Sequence, residues 1–325
     1  MLGTVGEFSL IENYFTHRTR HTLLGVGDDA ALIRLRRGQV LAISVDMLVE
    51  GRHFIKGADP ELLGHKTLAV NLSDLAAMGA TPRWATLALA LPKADARWLA
   101  AFTLGFMRLA RAHDVDLIGG DTTRGPLNLC VQVMGEVPAG KALRRDGARA
   151  GDEVWVSGTL GDAALAVAAR NKEIRMTKQH FAAASRRLDQ PLPRVALGLA
   201  LRGIAHGAID ISDGLLADLG HICERSCVSA AIELDALPRS RLMRAYAGHA
   251  VARRALLSGG DDYELCFTAS PARRAAVLRA GARARVPVTR IGRIVHAPAG
   301  AVGVAVIDGD GLPLRVAQRG FDHFG

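Results

Sequence analysis

AIDISDGLLADLGHICERS, residues 208–226, carries three signals in one run. Residues 208–211 form a short apolar stretch of strand length. Asp213-Gly214 is a turn pair, and 215–226 places its apolar residues at helical spacing. A strand that turns straight into a helix is the unit of an α/β fold. The second half repeats the alternation. A strand at 153–157 ends at Gly158 and a helix follows Gly161. Pro193 and Ser270-Pro271 open further helices, and 289–295 and 302–307 read as strands.

The first half mixes the same elements differently. Residues 40–45, 83–91, 115–118 and 128–135 read as strands. Asp59-Pro60-Glu61 starts a helix, with Asp as N-cap, Pro in the first turn and Glu against the dipole. That helix stops at Gly79, and Asp95 caps the next one. The hairpin-like strand pairs argue against one doubly wound sheet.

At 325 residues the chain suggests about two domains. The stretch 137–154 is rich in Gly and charge and lacks apolar periodicity. It puts the boundary near 148, giving domains 1–148 and 149–325. Apolar residues make up 49% and charged residues 22%, which suits a packed core. No apolar run approaches the ~18 residues of a membrane helix. The start lacks the basic region of a signal peptide. The four cysteines make no C-x-x-C, which fits a reducing, cytoplasmic setting. The net charge of +9 is scattered; the clusters at 34–37 and 144–145 are short and not interleaved with aromatics. That pattern argues against nucleic acid as a partner.

The chemistry gathers in Asp residues at strand ends and Gly turns. They are Asp28 and Asp29 in GVGDDA, Asp46 after the 40–45 run, Asp74 in NLSDLAAMGA, Asp121 in LIGGDTTRG, and Asp210 and Asp213 in IDISDG. Any one Asp beside Gly can be a turn former or cap. Taken together, they supply carboxylate and hydroxyl oxygens without Cys/His ligand spacing, which suits Mg²⁺ bridging to phosphates. GVGDDA matches G-x-G-x-x-A, but its two carboxylates would repel a pyrophosphate and the following segment is too short for the helix. No P-loop is present. His53 lies seven residues past Asp46 and can face the same cleft. Cys223 and Cys227, four apart on a helix, read as core or half-buried thiols.

GEFSLI (6–11), GVGDDAAL, NLSDLAAMGATP, LIGGDTTRGP, DGARAGDEVWVSGTLGD, IDISDGLLADLGHI, SGGDDYELCFT and GFDHF (320–324) run in order along the chain. Together they resemble the thiamine-monophosphate kinase family of the aminoimidazole ribonucleotide synthetase-like superfamily. The resemblance implies ATP-dependent, Mg²⁺-assisted phosphorylation of thiamine monophosphate to thiamine diphosphate. It implies a two-domain α/β fold: an N-terminal mixed sheet with helices that pairs in a homodimer, and a C-terminal α/β sandwich. By position it implies metal ligands at Asp29, Ser44, Asp46, Asp74, Asp121, Asp210 and Asp213. Nucleotide contacts fall on Gly120, Asp121, Arg145 and Ser212, and substrate contacts on His53, Asp261 and Phe321.

Three positions depart from the family pattern. Val45 stands where a hydroxyl residue is common, so a ligand there is its backbone carbonyl. Asp261 replaces a frequent Glu. Phe321 replaces a frequent Tyr, which keeps stacking and loses a phenolic hydrogen bond. The chemistry needs no general base, because a phosphate monoester with a second pKa of ~6 is already ionised at neutral pH. Direct in-line transfer between two polyanions needs charge neutralisation and positioning instead. The alternatives are another ATP-using enzyme of the superfamily or, as a different class, a basic nucleic-acid-binding protein.

Overall fold

The computed structural model describes residues 11–297, 302–316 and 320. The chain divides into two compact units. One takes in the chain to Leu75 together with Ala80–Gly140; the other takes in Ala76–Gly79 and the chain from Lys141.

In the first unit a two-stranded ribbon, β1 (Thr22–Leu24) and β2 (Leu32–Ile33), precedes a four-stranded sheet. Its strands are β3 (Gln39–Val49), β4 (Thr81–Leu91), β5 (Asp116–Arg124) and β6 (Asn128–Pro138), in the order β3-β6-β4-β5. Only β4 and β5 run parallel. The hairpin character read from the first half is present in the antiparallel β3–β6 and β4–β6 pairs.

Helices α1 (Pro60–Ala77) and α2 (Ala96–Ala112) complete this unit. Both start where the sequence placed their caps. Asp59 Oδ1 accepts the Glu61 and Leu62 N–H groups, and Asp95 Oδ1 those of Arg97 and Trp98. From Leu63 onward α1 is buried on nearly every side; Leu68 and Leu72 are fully enclosed. Burying a leucine stabilises by roughly 1.5–3 kcal/mol. Gly64 and Gly105 let the two helices touch backbone to backbone. A Cβ on Gly64 would lie 2.0 Å from the Phe102 carbonyl oxygen, and one on Gly105 would lie 1.9 Å from that of Glu61.

Two buried carboxylates fasten the ribbon. Asp116 accepts the backbone N–H groups of Arg20 and His21 and the Thr22 hydroxyl at 2.7–2.9 Å. Glu136 accepts the Arg36 N–H at 2.9 Å and the guanidinium groups of Arg36 and Arg83. The intervening GVGDDA loop is thereby held from both ends.

The two sides of the sheet are unequal. Ser44, Asp46 and Leu48 point toward α1. On the other side Trp84, Ile118 and Met134 pack with Ile33 and Leu41, while Ile43, Val45 and Met47 are 54%, 58% and 52% exposed.

The second unit contains β7 (Glu153–Ser157), α3 (Asp162–Arg170), α4 (Lys178–Asp189), α5 (Val195–Leu201), β8 (Gly207–Asp210), α6 (Leu215–Ser226) and β9 (Val228–Glu233). It continues through α7 (Arg241–Ala245), α8 (Ala250–Ser258), β10 (Leu265–Ala269), α9 (Arg274–Ala284), β11 (Val288–His296), β12 (Val304–Ile307) and β13 (Pro313–Leu314). The described strands form a seven-stranded sheet in the order β13-β12-β9-β11-β7-β10-β8, with β12–β9 its parallel pair. Helix α6 matches the range read from the sequence and packs Leu215, Leu219, Ile222 and Cys223 into the core. Cys227 ends that helix in a left-handed conformation and is exposed, not half-buried as its spacing suggested. All four cysteines are free thiols. Among the described residues no helix is long and apolar enough to cross a membrane.

Candidate active site

The first unit brings together Ser44, Asp46 and Asp74, and adds Asn71. Strand β3 presents Ser44 and Asp46 on one face because they are two residues apart. Helix α1 presents Asn71 and Asp74 on one side because they are three apart. The Ser44 hydroxyl donates to Asp74 Oδ2 at 2.5 Å, and the Asp46 N–H donates to Asn71 Oδ1 at 3.0 Å. Strand and helix are thus pinned to each other through the candidate ligands. His53 follows β3, and its Nδ1 accepts the Val49 N–H at 3.0 Å. That bond leaves the neutral ring its proton on Nε2, as a donor. Asp29 is exposed in its loop, where its N–H bonds to Asp28 Oδ1.

Gly120 and Asp121 lie within β5, not after it, because the strand continues past the Gly pair to Arg124. Gly120 pairs with Leu87 at φ +151°, where a Cβ would lie 1.8 Å from the Leu87 carbonyl oxygen. Only glycine allows that approach. Asp121 is exposed and registers with Ala88, Cys130 and Met47 across the sheet. It therefore shares the open face with Val45, whereas Ser44 and Asp46 face α1. Three strand spacings separate β3 from β5, about 14 Å in all. Ligands of one Mg²⁺ lie within about 4 Å of each other. Asp46 and Asp121 of one chain accordingly do not form one ligand set.

In the second unit Asp210 closes β8, is 4% exposed and pairs with Leu265. Ser212 and Asp213 occupy the turn into α6. Asp261 belongs to the run 258–264 and has φ +67°; Tyr263 has φ +50°. Arg145 is exposed on a short helical turn, and its carbonyl accepts the Ser226 hydroxyl at 2.8 Å. Its neighbour Arg144 is engaged with Asp146. Phe321 lies outside the described residues.

Sequence reasoning missed the groups that hold these segments. Glu264, fully buried, accepts Ser157 Oγ at 2.6 Å and is gripped by Arg187 and Arg194. Asp262 accepts the Gly161 N–H at 2.8 Å, and burial pushes its carboxyl well above the ordinary range. Asp218 accepts three backbone N–H groups of the 212–214 turn. Burial and the neighbouring Asp213 charge push it up to about 7. Asp262 and Glu264 stood in the quoted SGGDDYEL run but carried no signal of burial.

All candidate metal ligands offer oxygen, the donor type Mg²⁺ requires. Among the described residues no three His, Cys, Asp or Glu side chains cluster tightly enough to hold an ion unaided. A Mg²⁺ site commonly uses one or two carboxylates and completes its shell with water and substrate phosphate. The group of Ser44, Asp46 and Asp74 fits that pattern.

The family model for AIR synthase related protein, N-terminal domain, matches residues 27–137, and that for the C-terminal domain matches 149–305. The chain is 46% identical to the thiamine-monophosphate kinases of Salmonella typhimurium and Escherichia coli K12, over 98% of this chain and of each relative. The chain belongs to the thiamine-monophosphate kinase family. Within that family, the crystal structure of the Stenotrophomonas maltophilia enzyme is 50% identical, covers 90% of this chain and 92% of its own, and superposes with a TM-score of 0.83. The structure of AaThiL complexed with AMPPCP and TMP is 30% identical, covers 98% and 97%, and gives 0.77. The two-domain α/β expectation holds, and both units take the fold of this kinase family.

Proposed function

We infer that this chain catalyses ATP-dependent phosphorylation of thiamine monophosphate to thiamine diphosphate. The observation that carries this reading is 46% identity to curated kinases of that activity over 98% of both chains. A relative held together with AMPPCP and TMP supports the pair of substrates.

Division of labour follows the two units. The first, corresponding to domain 1–148, supplies Asp29, Ser44, Asp46, Asp74 and Asp121 for Mg²⁺, and His53 for the thiamine substrate. The second, domain 149–325 together with the neighbouring Arg145, supplies Asp210 and Asp213 for metal, Ser212 and Arg145 as nucleotide contacts, and Asp261 for substrate; Gly120 and Asp121, the other proposed nucleotide contacts, belong to the first. Phe321 is the proposed stacking residue. Bound Mg²⁺ ions would neutralise phosphate charge and hold attacking and leaving oxygens in line.

The protein's own groups orient rather than exchange protons. His53 offers an Nε2–H donor, a fixed direction for a phosphate or ring acceptor. The Ser44–Asp74 bond keeps both oxygens at one spacing before ligands arrive. Arg145 is exposed and can meet phosphate with two N–H groups. The acceptor phosphate is ionised at neutral pH, so direct transfer needs no base from the chain.

The open face bearing Ile43, Val45 and Met47 supports a homodimer, since a contiguous apolar face of this kind marks an interaction surface. We read the location as cytoplasmic, a reading supported by four free cysteines, which fit a reducing setting.

The experiment is ADP release from ATP and Mg²⁺ with and without thiamine monophosphate. Release that requires thiamine monophosphate, yields thiamine diphosphate and collapses in Asp46→Asn supports the reading. Release indifferent to thiamine monophosphate overturns it.

A further inference from the structure

The turn 211–214 and the run 259–264 are stitched together through their backbones. The Ile211 N–H donates to the Glu264 carbonyl, the Tyr263 N–H to the Ile211 carbonyl, and the Asp261 N–H to the Ser212 carbonyl, each at 2.8 Å. The last bond joins a proposed nucleotide residue directly to a proposed thiamine residue. It also helps to hold Asp261 at positive φ, a conformation a non-glycine residue adopts only where its surroundings enforce it.

Asp218 secures the other side of this turn. It sits in the first turn of α6 and is 2% exposed. A single oxygen, Oδ2, accepts the N–H groups of Ser212, Asp213 and Gly214, each at 3.1 Å. Helix N-termini often aim such N–H groups at a bound phosphate. Here the chain's own carboxylate takes them. Both backbone polar groups of Ser212 are therefore committed, its N–H to Asp218 and its carbonyl to Asp261. Its hydroxyl is what remains for a nucleotide.

We propose that Asp218 is a positioning residue that sets the nucleotide and thiamine subsites together, by fixing the Ser212–Gly214 turn and, through the Ser212 carbonyl, Asp261. The proposal rests on the function inferred above. It separates a residue touching neither substrate from the residues that do. Its signature is a parallel change in both Michaelis constants, because one displaced turn moves Ser212 and Asp261 together.

The test compares Asp218→Ala, Asp218→Glu and Asp218→Asn in the full chain, assayed well below each variant's melting temperature. Displacing positioned groups by about an ångström can cost up to about 100-fold. Ala and Glu are expected to raise KM for ATP and for thiamine monophosphate in parallel, by about tenfold or more. Asn keeps an oxygen acceptor and is expected to recover most of both. If Ala does not fold, Glu carries the test, since it keeps the charge and shifts the oxygen by one methylene. Wild-type KM values for both substrates, with only a lower melting temperature, would overturn the proposal. So would a change confined to one substrate. Should the wild type show no thiamine-dependent ADP release, the kinase reading fails by itself. ATP affinity measured by equilibrium dialysis then decides Asp218, and an unchanged value in Ala and Glu overturns its role.

Discussion

Ser44 on β3 and Asp74 on α1 share one proton-donating contact, 2.5 Å from hydroxyl to carboxylate. A strand and a helix that are remote in sequence thus meet through two oxygen donors. Removing the hydroxyl leaves Asp74 without this orienting partner. Loss of a group that orients a ligand commonly costs about 10–100-fold in metal affinity. Ser44→Ala is expected to raise the Mg²⁺ concentration for half-maximal ADP release by that factor, with the far-UV circular dichroism spectrum unchanged.

Gly120→Ala places a methyl group against the Leu87 carbonyl and imposes a disfavoured φ. Overpacking and backbone strain each cost about 1–3 kcal/mol. Urea unfolding should show a loss of that order, and activity should fall further because Asp121 is the next residue.

Asp46 and Asp121 stand on opposite edge strands and opposite faces of one sheet. If two copies pair so that the β3 edge of one meets the β5 edge of the other, one copy's Asp46 can combine with the other's Asp121. Mixing inactive Asp46→Asn and Asp121→Asn chains then restores about a quarter of wild-type activity, since half the symmetric pairs are mixed and each holds one intact site. Val45→Asp in both chains should abolish the rescue and shift the light-scattering mass to that of a monomer. No rescue from well-folded mixtures would place both residues in independent roles within one chain.

Glu136 supplies a pH dependence of stability. Burial pushes its carboxyl up, but the Arg36 N–H, the Arg36 guanidinium and Arg83 pull it below the ordinary value of 4.5. A depressed folded pKa means stabilisation that is present above about pH 4.5 and lost as pH falls through the folded value. The melting temperature should therefore drop on acidification below that point. In Glu136→Gln the drop should be shallower, with stability at neutral pH reduced by about 1–3 kcal/mol.

The sequence made some elements plain and hid others for identifiable reasons. Helix α6 was legible because a strand, a Asp-Gly turn and a periodic helix followed one another within 208–226. Asp59 and Asp95 were legible because capping is local chemistry. Helix α4 escaped because its surface is largely polar and only Ala184 and Leu188 are buried. Strand β10 escaped because all five of its residues are buried, which erases alternation. At the site, the individual Asp residues were visible as strand-end carboxylates. Asp218 looked like any polar helix residue, and Glu264 like the tail of a motif. Their roles depend on backbone N–H groups and arginines brought close by folding. The separation of Asp46 from Asp121 depends on strand order, which no local pattern encodes.

The thiol inventory gives this protein a built-in attachment point. Burial pushes Cys223 up to about 12 and raises Cys266 as well, and burial with the Asp46 charge raises Cys130. Thiolate is the reactive form. A maleimide dye at neutral pH should therefore add first to the exposed Cys227, without cysteine being engineered in or out. The dye would sit at the far end of the helix whose opening turn carries Ser212 and Asp213. Its fluorescence offers a direct optical report on whether that helix shifts when nucleotide arrives.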